Sequence, residues 1–320
     1  MNSPVNYNDI RNSSPQFRRR PGRKKKLRAW QSLLFFIAVM AVLLLFGGML
    51  FYLTDSMYLE SFVQQVFFLV SSVIFVLLLR CDPKEVFPLK KPRISALAGV
   101  LILLFVSILS AEVFSLLALH FAPGSLEQAA ENVDEVLSGS SFPADFILAC
   151  ICPAICEEAL HRGVILNGFR NSFRDRRIPV VAGGLLFGMF HIYPVRMIMP
   201  AFIGCLMCWL VLRTDNMLYS SLLHLGYNTV LITLSRIPGA GENVSGDAVL
   251  SSGIIGMSVI TAGICIPFLL YIGMWLVRRV YEPRRPSFIP EHHVASVLLR
   301  ILIPTAAILA VGLLVFFGII

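Results

Sequence analysis

Residues 146–166 read FILACICPAICEEALHRGVIL. The run is apolar and long enough for one crossing of a bilayer core of about 30 Å, which takes about 20 residues of helix. Yet its middle holds Glu157, Glu158, His161 and Arg162. An ionisable residue at the centre of a membrane helix costs roughly 2.5–3.5 kcal/mol on insertion scales. Two acids and an Arg therefore cannot face lipid together. They must face protein and one another. Glu158 stands four residues before Arg162, the favourable order for a helical ion pair. That leaves Glu157 as a spare carboxylate, rotated about 100° around the helix.

The rest of the chain agrees with a membrane reading. Of 320 residues, 57% are hydrophobic and only 14% charged, and the mean hydropathy is +0.77. Soluble chains carry about 25% charged residues. A water-soluble enzyme, an ordinary nucleic-acid binder and a disordered protein are thereby excluded. The expected fold class is all-α, a polytopic membrane helical bundle of about nine transmembrane helices. The candidate spans are roughly 30–53, 61–79, 94–118, 144–166, 178–195, 197–212, 217–234, 253–277 and 297–320. The run after the basic tail is too long for a signal-peptide core and is read as a retained first span.

Charge placement orients the bundle. Of the 27 Lys+Arg, 23 fall in 1–29, 80–93, 167–177, 213–216 and 278–296. By the positive-inside rule these segments are cytoplasmic. The expectation is a multi-pass protein of the cell membrane with a cytoplasmic N-terminus. The net charge of +8 then reflects anchoring on anionic lipid, a membrane-lipid partner and no nucleic acid. The organisation expected is a disordered basic tail (1–29), N-terminal helices (30–142), a core (143–235) and two C-terminal helices (236–320). Within 30–142, Ser125 and Gln128 form a capping box that opens an amphipathic outer helix near 126–137. The seven cysteines lie mostly in apolar spans and behave as small hydrophobes.

Two further spans carry polar groups. The fifth holds Phe187 and His191, four apart. The seventh holds His224 and Asn228, also four apart and so on one helical face. Glu157, Glu158, Arg162, His191, His224 and Asn228 thus fall in three spans, while the others hold almost nothing ionisable. A buried carboxylate can act as general base on water, an imidazole can hold that water, and His and Asn can donate to an oxyanion. This is a parts list for peptide hydrolysis without a covalent intermediate. No nucleophilic Ser is placed in a span, and there is no His-Glu-x-x-His motif.

Glu157-Glu158-x-x-x-Arg162, Phe187-x-x-x-His191 and His224-x-x-x-Asn228 resemble the three ordered motifs of the CPBP family, which groups type II CAAX prenyl endopeptidases with bacteriocin-processing and self-immunity proteins. The resemblance covers roughly 143–235. It implies a helical membrane endopeptidase acting on a peptide or membrane-protein substrate. It implies Glu157 as general base, His191 as its partner on the catalytic water, and His224 with Asn228 as the oxyanion hole. Glu158 and Arg162 would brace the helix, and Phe187 would pack the site. No cofactor is expected, and no metal. A zinc version with Glu157, His191 and His224 as ligands is the lesser reading, since four-residue spacing is met only by His224 and Asn228 and Asn is a poor zinc ligand. The competing class is a non-enzymatic self-immunity or export accessory protein.

Overall fold

The computed structural model describes residues 25–54, 56–122, 141–192, 194–237, 251–282, 287–289 and 294–320. The expected outer helix near 126–137 and most of the basic tail lie outside the described residues. All regular structure among them is helical.

The first helices are α1 (Ala29–Thr54), α2 (Met57–Leu78), a short α3 (Pro83–Val86) and α4 (Ile94–Phe121). The stretch 142–172 winds without interruption but changes register. It comprises α5 (Phe142–Asp145), a π-helical segment π1 (Phe146–Ile151), α6 (Cys152–Glu158), a second π segment π2 (Ala159–Ile165) and α7 (Leu166–Ser172). Then come α8 (Arg177–Met189), α9 (Pro194–Thr214), α10 (Leu218–Ser235), α11 (Ser252–Gly263), α12 (Ile266–Tyr281) and α13 (Val294–Phe316).

Among the described residues six stretches are long and apolar enough to span a bilayer: α1, α2, α4, α9, the broken rod Ser252–Tyr281, and α13. The protein is a multi-pass membrane protein. The expected fourth, fifth and seventh spans are helical too, but they do not meet that measure of length and apolarity. They are the three that carry the polar set: the fourth is divided by its π segments, the fifth has only 13 residues, and in the seventh polar side chains lower the apolarity. The eighth span is divided at 264–265 because Pro267 opens α12 with no N–H to continue the preceding helix.

Polar ties hold the helix ends in two groups. On the basic face, Ala29 N–H donates to Ser172 Oγ at 2.8 Å and Met217 N–H to Pro88 O at 2.7 Å. Asp215 pairs with both Lys90 and Arg170, and Glu282 with Arg213 and Arg278. At the opposite ends, Tyr58 Oη donates to Ala144 O at 2.6 Å and Arg236 pairs with Asp145. The basic segments that charge placement grouped together are therefore also neighbours in space.

Apolar attraction between helices is weak in lipid, so close packing uses small residues. A Cβ on Gly99 of α4 would lie 2.8 Å from Gly273 O of α12. The largest buried cluster joins α4, α8, α9, α10 and α12 through Leu103, Phe187, Met207, Leu210, Tyr219 and Leu223. By contrast α1 and α13 bury little of their apolar windows, 12% and 11%, and turn Leu, Ile and Phe outward as lipid-facing helices do.

A buried carboxylate–imidazole cluster as candidate active site

Glu157 and Glu158 end α6, between the two π segments. Winding from i to i+5 shifts the face a helix presents, and such bulges are frequent at functional sites. Pro153 lies in the first turn of α6 and lacks an N–H. In ordinary α winding that N–H would bond to Ala149 O. Asn228 Nδ2 donates to this carbonyl instead, at 2.9 Å.

The pair read from spacing is present. Arg162 Nη1 donates to Glu158 Oε1 at 2.7 Å, and neither side chain has any solvent exposure. The guanidinium carbon stands 4.2 Å from the Phe187 ring centroid. Its Nε and Nη2 are buried with no hydrogen-bond partner, so the ring face supplies the remaining compensation. Phe187 meets more than expected. Besides Arg162, its ring contacts His161, His191 and His224 edge-on, at centroid distances of 4.9, 5.4 and 5.6 Å.

His224 bridges the two acids. Its Nδ1 donates to Glu158 Oε1 at 3.1 Å, and its Nε2 stands 3.9 Å from Glu157 Oε2. With the proton on Nδ1, neutral His224 presents a lone pair at Nε2. Glu157 is the carboxylate that Arg162 does not neutralise, as the spacing argument expects. Its other oxygen, Oε1, accepts from Gln65 Nε2 of α2 at 2.8 Å.

His191 sits on the turn that closes α8, one residue before Ile192 at φ 63. Left-handed backbone is strained for a β-branched residue and costs about 1–3 kcal/mol. His191 Nδ1 lies 3.1 Å from Phe187 O, which can only accept. The proton is therefore on Nδ1, and Nε2 is left as an acceptor. Glu157 and His224 are both within electrostatic reach of this ring. The helix carrying Glu157 continues to Ser172 rather than stopping near 166, so Glu157 lies mid-helix.

Glu157, Glu158, Arg162, Phe187 and His224 thus meet directly, and His191 joins them through Phe187. Asn228 lies one turn beyond His224, tied to Ala149. Sequence reasoning missed Gln65, and it named His161 without giving it a role. Gln65 stands with Gln64 in a largely apolar helix, a usable signal. His161 is fully buried against Phe36, Phe187 and Phe190, with neither ring nitrogen partnered. Among the described residues no group of three or more His, Cys, Asp or Glu forms a candidate metal site.

Residues 139–230 match the family described as type II CAAX prenyl endopeptidase Rce1-like. The segment holds all three motifs and ties this part of the chain to a family of membrane proteases. No curated protein and no solved structure matches the chain.

Proposed function

With the Rce1-like match as premise, we propose that this protein is an intramembrane endopeptidase in which Glu157 activates water. The observation that carries the reading is the gap between Glu157 Oε2 and His224 Nε2. At 3.9 Å it is too long for a direct hydrogen bond. Both atoms are acceptors while His224 is neutral. A water can donate one hydrogen to each, and its oxygen lone pair is then free to attack.

The steps follow from this placement. The water oxygen adds to the scissile carbonyl carbon, and the carbonyl π pair moves onto oxygen. The water's proton passes to Glu157. His191 Nε2 is a further acceptor that can orient the same water. The oxyanion is met by the second N–H of Asn228, since Ala149 O takes only one; His224, whose proton is turned to Glu158, serves the water in this reading and not the oxyanion hole in which its motif would place it. Protonated Glu157 then delivers its proton to the departing amine as the C–N bond breaks. Glu158 and Arg162 hold the helix and fix the His224 tautomer.

The substrate class is a membrane-associated peptide or protein, cut near the basic, cytoplasmic face. Comparative membrane peptidomics of cells carrying wild type and Glu157→Gln tests the reading. Peptides present with wild type and absent with the variant are expected, at equal protein levels. Identical peptide profiles would refute it.

A further inference from the structure

Gln65 lies on α2, outside the matched segment and on the same buried face as Phe68, Ser72 and Val76. This face packs on α6 and π2. The residue is 8% exposed. Its Nε2 donates to Glu157 Oε1 at 2.8 Å, and its own Oε1 is buried with no partner. The amide cannot be turned over, because Oε1 against a carboxylate oxygen would set two acceptors together. A leucine would fill the space with no polar cost, whereas the amide leaves a buried acceptor unsatisfied.

We infer that Gln65 is a positioning residue for the proposed reaction: it fixes one oxygen of Glu157 so that the other faces His224. The inference rests on the hydrolase reading above. A carboxylate on a helix can rotate about its last bond, and rotation would take Oε2 off the imidazole. A hydrogen bond from a neighbouring helix to one oxygen stops this.

The test uses a synthetic peptide spanning a cleavage site that vanishes in Glu157→Gln cells, with full-length protein in detergent. Gln65→Met keeps the volume and removes the donor. Gln65→Asn keeps the amide and shortens its reach. For both, kcat is expected to fall between about tenfold and a hundredfold, with KM within about twofold and thermal stability unchanged or raised. Should Gln65→Met not fold, the Asn variant decides by the same criteria. Wild-type kcat in either folded variant overturns the inference, and so does a fall in stability with kcat intact. If Gln65 variants are fully active while Glu157→Gln is dead, this inference alone fails. If Glu157→Gln is itself active, the hydrolase reading fails first.

Discussion

Asn228 donates a side-chain N–H to the carbonyl oxygen of Ala149, whose α-helical partner would have been Pro153. Proline has no N–H to give, so a neighbouring helix supplies one. Removing the donor takes a hydrogen bond from a half-buried carbonyl, at a cost of about 1 kcal/mol. Asn228→Ala is expected to lower thermal stability in detergent. In a Pro153→Ala background the backbone can supply its own donor, and the same substitution should cost less. A double-mutant cycle on melting temperature reads that coupling. Equal costs in both backgrounds would show that the two residues act separately.

Glu158 and Arg162 make a fully buried pair. Breaking such a pair from one side strands a charge and costs about 3–5 kcal/mol, whereas replacing both by apolar residues can be neutral. Glu158→Met alone should abolish accumulation of folded protein. Glu158→Met with Arg162→Met should restore folding without restoring cleavage, since His224 loses the acceptor that sets its tautomer. Fluorescence-detected size exclusion and the peptidomic readout separate the two effects.

Gly188 lets α8 approach α9. A Cβ there would lie 2.5 Å from Met197 O and 2.7 Å from Ala201 Cβ. Backbone cannot yield as a side chain can, so Gly188→Ala should push the helices apart and displace Phe187 and His191. Cleavage is expected to be lost, with a melting temperature several degrees lower. Gly48→Ala, where nothing lies within 4 Å, is the control.

Asp215, on the basic face between α9 and α10, reports on pH. Burial works against its charged form, but hydrogen bonds from Lys90 and Arg170 outweigh it and hold the carboxyl below its ordinary 3.8. A depressed folded pKa stabilises above the unfolded value and loses that contribution as pH falls through the folded one. Melting temperature should therefore show no slope from Asp215 between pH 5 and about 7, and should fall below about pH 4. Asp215→Asn should lower the plateau and flatten that acid limb.

Ile192, left-handed at φ 63, follows His191. Glycine adopts this conformation without strain. Ile192→Gly should raise thermal stability by about 1 kcal/mol. It should also slow cleavage, since it loosens the turn that presents the imidazole. A stability gain with unchanged turnover would separate the strain from the chemistry.

Much of this was legible from residue order because burying charge in lipid is so costly. Glu157, Glu158 and Arg162 could only be tolerated together and facing inward, and the buried pair with its spare acid follows. The apolar runs at 30–53, 61–79, 94–118 and 297–320 became α1, α2, α4 and α13. What escaped was register. Nothing in the periodicity of 142–172 marks where α winding gives way to π, although Pro153 marks where a donor is missing. Gln65 escaped for another reason. Two adjacent amides, Gln64 and Gln65, in a largely apolar helix have no partner in sequence, and only packing α2 on α6 shows that Gln65 meets Glu157. Phe187 was read as filler because an aromatic ring in an apolar helix carries no sign that cations will stack on it.

The bond from Gln65 to Glu157 also sets a limit on modularity. The stretch that carries every motif is not a self-sufficient unit, because one oxygen of Glu157 is held by a residue 92 positions upstream. A transplant of the motif-bearing stretch onto a foreign membrane scaffold would arrive with that oxygen untethered. Any minimal version of this protein has to bring the second helix with it.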